Sequence, residues 1–376
     1  MKKVLFVIES LGGGGAEKVL TTIVKNLDRT KFEVTVLTVV EIGVYVEEVK
    51  KYCRLKTMLP DYSTLKNPIE KMKYKLEYKF IYSAKTESVY KKYVKEQYDV
   101  EIAFVEGYAT KFIMGSPNAN SKKICWVHID MEKNAYADQY FNSIEEEKMI
   151  YSQYDEIVGV SNSVKEVFER KFALTNTISV IYNPIDMKEI LEKSCEKIPL
   201  KRNKNLQIVT SGRLEPQKGY DRLITALGKI SKENKSFHVW ILGEGSMHAK
   251  LENLIHINHL ENMVTLLGFQ RNPYPWIAES DAFVCTSRAE GFSLVIAEAI
   301  ALKIPIFSVD CSGPNELLDY GKYGILVKNT EEQLTDMLRN LILGEIDLTD
   351  LKKKSEQRSK EFNINKIMKQ IEKIMV

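Results

Sequence analysis

The sequence lacks an apolar run long enough to cross a membrane. Its apolar runs are four to seven residues long, whereas a transmembrane helix needs about 20 mostly apolar residues. The start of the chain, two lysines followed by the apolar Val4–Ile8, has neither the longer apolar segment nor the small-residue cleavage site of a signal peptide. The net charge of +3 is too small to indicate nucleic-acid binding. We therefore expect a cytoplasmic protein with no nucleic-acid partner.

Cysteine and histidine are both scarce, with five of each in 376 residues. The cysteines are widely spaced and form no Cys-x-x-Cys pair, which argues against a disulfide framework or a zinc knuckle and fits a reducing compartment. His256 and His259 have the i, i+3 spacing of a metal-binding pair on a helix, but no third ligand accompanies them. The chain also has no Asp-x-Asp triplet. The sequence thus predicts neither a metal site nor a bound cofactor.

Short apolar runs alternate along the whole chain with longer segments of helical periodicity. Runs that are apolar throughout are typical of parallel strands covered by helices on both faces. Two successive sets of about six such units predict two doubly wound α/β domains. The predicted strands are Val4–Ile8, Val34–Val40, Val100–Val105, Ile124–Val127, Ile157–Val160 and Ile178–Tyr182 in the first half, and Leu206–Thr210, Phe237–Leu242, Val264–Leu267, Ala282–Cys285, Ile304–Val309 and Ile325–Val327 in the second.

A change of composition marks the boundary between the two predicted domains. Asn183-Pro184 is followed by a polar, lysine-rich stretch that extends to Asn205. We therefore expect a first domain over residues 1–185, a linker over 186–205 and a second domain over 206–362. The last segment, 363–376, has apolar residues at helical spacing. It is predicted to form an amphipathic helix that packs back toward the first domain.

One segment of the first domain is much more basic than the rest of the chain. Residues 49–95 contain 13 lysines and arginines against four acidic residues, with seven tyrosines interleaved. Such a face can rest on a membrane surface made of anionic lipid. The alternative is a solvated helical face with half-buried tyrosines beneath it. We expect this segment to hold the protein at the inner face of the cell membrane as a peripheral protein.

A run of four glycines, residues 12–15, lies between the first predicted strand and a helix. Glycines in this position let the main chain approach an anion closely, and the helix start presents free N–H groups to it. The alternative is a tight turn that needs no ligand, although four glycines exceed what a turn requires. Glu17 stands where a dinucleotide-binding loop needs its third glycine, and no Gly-Lys-Ser/Thr follows as in a Walker A loop.

Two loops of the second half carry the charged residues that indicate chemistry. Arg213 offers a planar fork and Lys218 a compact charge, which together can hold a diphosphate; the alternative is two surface cations. Further on, Glu290 and Glu298 flank a turn and the start of a helix, where Ser293 is predicted to act as N-cap. Because the neighbours of Glu298 are nearly all apolar, its carboxylate needs a polar partner.

Together these segments resemble the retaining nucleotide-sugar glycosyltransferases of family 4. They occur in the family's order over nearly the whole chain, and their combination is highly specific. The resemblance implies the GT-B fold, in which two doubly wound Rossmann-like domains face each other across a cleft, the first on the acceptor side and the second binding the nucleotide sugar. The matching segments are Gly14-Gly15-Ala16-Glu17, Gly212-Arg213-Leu214 with Lys218-Gly219, Gly243-Glu244-Gly245, Leu267-Gly268-Phe269, and Glu290-Gly291-Phe292 with Glu298. Segments resembling enzymes of bacterial surface-polysaccharide assembly are Trp126-Val127-His128, Asn183-Pro184-Ile185-Asp186, and Asp310-Cys311-Ser312-Gly313-Pro314-Asn315-Glu316.

The resemblance also implies a role for each matching residue of the second domain. Arg213 and Lys218 would bind the diphosphate and neutralise the leaving nucleotide. Glu298 would accept hydrogen bonds from the ribose. Glu290 would hold hydroxyls of the transferred sugar; it could act as a covalent nucleophile or only position the sugar, and the resemblance favours the second. The remaining donor contacts would come from Gly243, the main chain of Phe269, and the amides of Phe292, Ser293 and Leu294.

In the first domain, Gly14 and Gly15 would close on the diphosphate or on the acceptor, and His128 would contact the sugar or the leaving group. The function implied is a metal-independent retaining transferase. It would move a hexose or N-acetylhexosamine from a UDP-sugar, with GDP as the main alternative, to a lipid-linked or oligosaccharide acceptor in an α-linkage.

Other functions on the same topology stay open at this point. One is a sugar-nucleotide epimerase or hydrolase, which needs no acceptor. A phosphorylase would need a lysine that carries pyridoxal phosphate, and the sequence identifies none. A non-catalytic partner subunit that binds a nucleotide sugar is the last alternative, although the presence of Glu290, Glu298, Arg213 and Lys218 argues against it.

Overall fold

The chain divides into two compact units in the computed structural model, which describes residues 1–174, 178–200 and 205–376. The first unit consists of Met1–Pro184 together with Asn365–Val376, and the second of Ile185–Ile364.

The first unit is built on a parallel sheet of seven strands in the order β3-β2-β1-β4-β5-β6-β7. Its elements in chain order are β1 (Lys2–Ile8), α1 (Gly15–Asn26), β2 (Phe32–Val40), α2 (Val46–Tyr52), β3 (Arg54–Leu59), a 3₁₀ turn (Tyr62–Thr64), α3 (Pro68–Ser83), α4 (Thr86–Tyr93), β4 (Val100–Ala103), α5 (Tyr108–Ile113), β5 (Lys122–Val127), a second 3₁₀ turn (Ala135–Tyr140), α6 (Ile144–Tyr151), β6 (Glu156–Gly159), α7 (Asn162–Phe172) and β7 (Ile178–Val180).

The second unit is built on a parallel sheet of six strands in the order β10-β9-β8-β11-β12-β13. Its elements are α8 (Met187–Ser194), β8 (Leu206–Ser211), a 3₁₀ turn (Pro216–Lys218), α9 (Tyr220–Ile230), β9 (Phe237–Leu242), α10 (His248–Ile257), β10 (Val264–Leu266), α11 (Tyr274–Ala278), β11 (Ala282–Cys285), α12 (Leu294–Ala301), β12 (Ile306–Val309), α13 (Ser312–Leu317), β13 (Ile325–Val327), α14 (Glu331–Ile342) and α15 (Leu348–Ser359).

The two doubly wound sheets confirm the fold class that the continuous apolar runs predict. Each predicted strand overlaps a strand of the structure, because strands buried on both faces are apolar throughout. One strand was missed. In β3 the charged Arg54 and Lys56 alternate with apolar residues, as is typical of a strand at the edge of a sheet.

The predicted linker, 186–205, was wrong over its first part. Residues 187–194 form the helix α8, and it belongs to the second unit, where Asn272 donates a hydrogen bond to the carbonyl oxygen of Lys193 at 2.8 Å. The side chain of Asp186 caps this helix by accepting from the amide of Glu189. Residues 201–204 of the predicted linker lie outside the described residues.

The last helix, α16 (Ile364–Met375), belongs almost entirely to the first unit. Its apolar side buries Met368, Ile371 and Met375. At its end, Glu372 forms an ion pair with Lys31 at 2.9 Å. None of the helices in the described parts of the chain combines the length and the apolar character needed to cross a membrane.

Each sheet has a point at which the direction of strand addition reverses. β1 lies between β2 and β4, and β8 lies between β9 and β11. In sheets of this kind ligands bind beyond the carboxyl ends of the strands at this point. Among the candidate residues of the second unit, Arg213 and Lys218 lie in the loop that follows β8, and Glu290 lies in the loop that follows β11. In the first unit, the loops that follow β1 and β4 lie at the corresponding position, beside the reversal point of the sheet.

Candidate active site

The loop after β8 is held directly against the end of β11. Its 3₁₀ turn ends at Lys218 and is followed by Gly219, which has a φ of +70°. A side chain at Gly219 would collide with the carbonyl oxygen of Thr286, so only glycine fits this left-handed position. The hydroxyl of Thr286 donates to the carbonyl oxygen of Lys218 at 2.9 Å. Lys218 is thereby placed beside the loop that carries Glu290.

Lys218 and Glu290 form a largely buried ion pair. The Lys218 Nζ lies 2.6 Å from Glu290 Oε1, and the two side chains are 18% and 9% exposed. The hydroxyl of Ser287 donates to the same carboxylate oxygen at 2.6 Å. Burial acts to lower the pKa of Lys218, but the charge of Glu290 outweighs it and holds that pKa above its ordinary value. Lys218 is therefore a fixed cation at the strand ends, with two further N–H donors for a ligand.

Arg213 lies on the same loop with its side chain exposed. It makes no ion pair with any residue that the structure describes. A guanidinium that is not held in an ion pair can form a bidentate contact with a phosphate. The structure thus places both predicted cations at one end of β8: Lys218 is half-buried and paired, and Arg213 is exposed to solvent.

Ser293 stands at the N-cap position of α12, but the prediction that it caps this helix was wrong. Its main chain is left-handed, with a φ of +66°, and its hydroxyl makes no capping hydrogen bond. A capping residue normally has extended backbone, which points its oxygen at the first-turn amides. The hydroxyl is also buried without a partner among the described residues. Residues with strained backbone cluster at functional sites, and an unsatisfied buried hydroxyl is a feature that a bound ligand would explain.

The two residues beside Ser293 frame this helix start. Phe292 is buried, and Gly313 packs so closely on the main chain of Phe292 that a Cβ there would collide with it. Leu294 is the first residue of α12. The first amides of any helix lack acceptors inside the helix, so the start of α12 can offer N–H groups to an anion.

Glu298 is buried on α12, with only 2% of its surface exposed. The hydroxyl of Tyr274 on α11 lies 3.5 Å from Glu298 Oε1, at the outer limit of a hydrogen bond. Tyr274 therefore supplies at least part of the polar partner that the buried carboxylate of Glu298 requires. Its predicted contact with a ribose stays a prediction.

Gly243 and Phe269 follow the ends of β9 and β10. Gly243 has a φ of +139°, and a Cβ there would collide with the carbonyl oxygen of Gly212. Its amide donates to the carbonyl oxygen of Gly268 at 2.8 Å. Gly243 is thus required by the close packing of three loops, whether or not a donor binds. Phe269 exposes 43% of its surface beside this junction.

In the first unit, His128 is held by a carboxylate that the sequence analysis did not single out. Glu106 Oε1 accepts hydrogen bonds from the main-chain amides of both His128 and Ile129. Burial raises the pKa of Glu106 to about 7, although these hydrogen bonds oppose the shift. Burial lowers the pKa of His128 to about 4, so its imidazole is neutral at pH 7. Its Nε2 is buried and has no partner in the described structure.

The glycine run lies at the end of β1, and its geometry does not require four glycines. Of residues 12–15, all of which are described, none has a positive φ. A Cβ at Gly15 would meet nothing within 4 Å. The open space beside Gly15 could therefore be occupied by a ligand. The carboxylate of Glu17 lies beside Gly14, and the predicted contact of Gly14 and Gly15 with the diphosphate or the acceptor stays a prediction.

Sequence reasoning missed Ser287 and Glu106. Ser287 is close enough in sequence to Glu290 to have been noticed, but a serine alone carries no distinctive signal. Glu106 follows directly after the apolar run Val100–Val105, which contains β4 at the reversal point of the first sheet, and this position is a usable signal for a functional carboxylate. The described residues contain no group of three or more His, Cys, Asp or Glu that could hold a metal ion.

Comparison with known proteins assigns this chain to a class. Residues 13–189 match the family Glycosyltransferase Family 4, and residues 193–358 match Glycosyl transferases group 1. An uncharacterised glycosyltransferase of Methanocaldococcus jannaschii is 30% identical over 289 residues, which cover 67% of this chain and 71% of that protein. With its two doubly wound sheets, the chain is a glycosyltransferase of the GT-B type. It belongs to family 4.

Other similar proteins extend over the whole chain. The N-acetylgalactosamine-N,N'-diacetylbacillosaminyl-diphospho-undecaprenol 4-alpha-N-acetylgalactosaminyltransferase of Campylobacter jejuni is 29% identical over 374 residues, covering 98% of this chain and 97% of that protein. The crystal structure of Anabaena Alr3699/HepE in complex with UDP covers 99% of both chains, with a TM-score of 0.75 and 19% identity. A mutant of S. aureus TarM, crystallised with fondaparinux, α-GlcNAc-glycerol and UDP, covers 100% of both chains, with a TM-score of 0.75 and 14% identity.

Proposed function

We propose that this protein is a retaining, metal-independent glycosyltransferase. It transfers a hexose or N-acetylhexosamine from a UDP-sugar to a lipid-linked or oligosaccharide acceptor, with an α-linkage, in the synthesis of surface polysaccharide or glycoconjugate. The observation that carries the proposal is the Lys218–Glu290 pair beside the exposed Arg213, at the reversal point of the second sheet. The relatives and structural neighbours support the substrates, because their names include an undecaprenol-linked acceptor and bound UDP.

The cations act on the leaving group. Negative charge develops on the diphosphate as the bond to the sugar lengthens, and Lys218 and Arg213 stabilise this charge more in the transition state than in the ground state. Two side-chain cations and the start of α12 thus supply the charge that a metal ion supplies in other transferases.

Glu290 acts by positioning the transferred sugar. Its Oε1 is already engaged by Lys218 and by Ser287. A carboxylate stabilised by an ion pair and a hydrogen bond is a weaker nucleophile than a free one. This arrangement favours attack by the acceptor from the leaving-group face over a covalent intermediate on Glu290.

Product analysis tests the proposal. We expect the purified chain to transfer sugar from one member of a panel of UDP- and GDP-sugars to undecaprenyl-diphosphate-linked glycans, with an α-linkage visible by NMR.

We expect EDTA to leave the rate unchanged, since Lys218 and Arg213 supply the charge. Activity that EDTA abolishes and Mg²⁺ restores would contradict metal independence.

Two outcomes would favour the other functions. Conversion of the nucleotide sugar without an acceptor would indicate an epimerase or hydrolase. Tight binding of the nucleotide sugar with no turnover on any acceptor would indicate a partner subunit. A β-linked product would contradict the retaining assignment.

Association with an anionic membrane is the second part of the proposal. On α3, Ile69, Met72 and Leu76 are spaced for one side of the helix and are about 60% exposed. Only Ile81 of this helix is buried, and exposed lysines flank the apolar side chains. Elsewhere in residues 49–95 several cations are paired, as in Lys92 with Glu77, so α3 is the part of the basic segment best suited to rest on lipid.

Vesicle binding tests this part. We expect the chain to co-sediment with phosphatidylserine-containing vesicles at low salt and to dissociate as salt rises. Replacing Lys73, Lys75 and Lys79 with glutamine should weaken binding at least about tenfold, because each lysine near an anionic surface contributes about 1 kcal/mol. The matched control replaces the exposed Lys352, Lys353 and Lys360 of the second unit. Equal binding by both variants, or none by the parent, would refute membrane association through α3.

A further inference from the structure

The first unit contains an open pocket, and none of the residues predicted to be catalytic or to bind the donor lines it. Its volume is about 410 Å³, and its wall includes Glu9 and five tyrosines, namely Tyr62, Tyr74, Tyr78, Tyr82 and Tyr140. Glu9 follows β1 directly, so the pocket adjoins the start of the loop that carries the glycine run.

The tyrosines form a continuous aromatic wall. Tyr74, Tyr78 and Tyr82 are four residues apart along α3 and therefore lie on one side of the helix. Their ring centroids are 6.3 Å apart for Tyr74 and Tyr78 and 4.7 Å for Tyr78 and Tyr82. Tyr62 continues the wall at 5.1 Å from Tyr74, and Tyr140 at 6.2 Å from Tyr82. Tyr62 and Tyr78 expose 40% and 45% of their surface, more than rings that serve only to fill a core.

The polar groups of the wall are fixed as hydrogen-bond acceptors. Glu9 Oε1 accepts from the hydroxyls of Tyr82 at 3.3 Å and Tyr140 at 2.9 Å, and Glu9 Oε2 accepts from Tyr136. Burial, helped by the charge of Glu9, raises the pKa of Tyr82 and of Tyr140, so these hydroxyls stay protonated and directed at Glu9. Their oxygen lone pairs are left to accept from a ligand.

A second carboxylate stands at the other end of the wall. Asp61 Oδ1 accepts from the amide of Ser63 at 2.8 Å. Hydrogen bonds from Ser63 lower the pKa of Asp61, which is therefore ionised at neutral pH. Two carboxylates repel a diphosphate or any other anion, and carboxylates and phenol oxygens are poor partners for an alkyl chain because they would lose their hydration.

Aromatic faces combined with hydrogen-bond acceptors match the chemistry of a sugar ring. A pyranose presents a face of C–H groups that packs on an aromatic ring and a rim of hydroxyls that donate hydrogen bonds. We propose that this pocket binds a neutral pyranose ring of the acceptor, with the ring against Tyr78 and its hydroxyls donating to Glu9 and Asp61. The assignment of this sugar to the acceptor rests on the proposed transferase function, whereas the binding itself does not.

Saturation-transfer NMR with the full chain, without a nucleotide sugar, tests the pocket. The probes are the methyl glycosides of glucose, galactose, N-acetylglucosamine and N-acetylgalactosamine, with sodium pyrophosphate and hexanol as the competing chemistries. We expect at least one glycoside to bind, and neither pyrophosphate nor hexanol to displace it. Tyr78→Leu should weaken binding about fivefold to tenfold by removing the aromatic face, while Tyr78→Phe should bind as the parent does.

Tyr320→Leu is the matched control, since Tyr320 is a highly exposed tyrosine of the second unit. The proposed sugar pocket would be refuted if binding fell equally in Tyr320→Leu and Tyr78→Leu, or if a glycoside bound Tyr78→Leu as well as it binds the parent. Displacement of the glycoside by pyrophosphate or hexanol, or the absence of any glycoside binding, would also refute it. If the chain transfers sugar but binds no glycoside in this pocket, the pocket proposal is refuted and the proposed transferase function stands. If the pocket binds a glycoside but the chain transfers no sugar, the transferase function is refuted and the pocket proposal stands.

Discussion

Replacing Lys218 with methionine is expected to lower kcat/KM for sugar transfer by at least about a hundredfold, which corresponds to about 3 kcal/mol of transition-state stabilisation. Methionine keeps most of the side-chain volume but removes the cation that we propose stabilises the leaving diphosphate. The same change leaves Glu290 buried without its partner. Breaking such a pair by removing one side costs about 3–5 kcal/mol of folding stability, so urea unfolding must be measured alongside the steady-state kinetics.

A second variant separates the two effects. In Lys218→Met combined with Glu290→Gln, no uncompensated buried charge remains, and Ser287 can still donate to the amide oxygen. We expect this double variant to recover a large part of the lost free energy of unfolding and to stay inactive. Recovery of both stability and turnover would mean that the Lys218–Glu290 pair is only structural, and the proposed leaving-group role would be wrong.

Arg213→Ala is the second change with a large expected effect, and it acts without a folding complication. Arg213 is exposed and has no ion-pair partner among the described residues, so the free energy of unfolding should change by less than about 0.5 kcal/mol. We expect kcat/KM to fall at least about a hundredfold, because the proposed charge-assisted contact with the diphosphate would be lost. Arg213→Lys should recover only part of the rate, since lysine keeps the charge but not the fork.

Lys235→Ala supplies the matched control for Arg213. Lys235 is an exposed cation of the same unit, placed before β9 at the opposite ends of the strands from Arg213. Its removal changes the net charge equally and should leave the kinetics unchanged. Equal losses in the two variants would indicate a general effect of charge on a polyanionic substrate. Near-normal turnover of Arg213→Ala would remove Arg213 from the site.

Much of the second unit's site could be predicted from sequence because its residues follow directly after buried strands. Arg213 and Lys218 come after β8, and Glu290 comes after β11. Adjacent parallel strands end at the same edge of a sheet, so residues that follow them are brought together by the topology alone. Their proximity to a ligand is what the proposed function adds.

The features that could not be predicted depend on main-chain geometry or on residues far apart in sequence. The left-handed backbone of Ser293 prevents the capping that its residue type indicates. The binding of Glu106 to the main chain at His128 joins loops that are 22 residues apart, and no local pattern records it. The tyrosine pocket is lined by α3, by Glu9 after β1 and by Tyr140 of the second 3₁₀ turn. In the sequence the tyrosines of α3 belong to a basic segment, and their spacing shows only that they share one side of a helix. Their contact with Glu9 and Tyr140, which are remote in sequence, is visible only in the structure.

The amino-acid sequence by itself determined the two doubly wound sheets and the loops in which the charged residues lie, because continuous apolar runs leave few arrangements other than parallel strands covered on both faces. Only the tertiary structure decided which of those charges are paired, which hydroxyls are left unsatisfied, and where α8 belongs. Pairing and burial depend on distances of a few ångströms between segments remote in sequence, and side-chain periodicity carries no information at that scale.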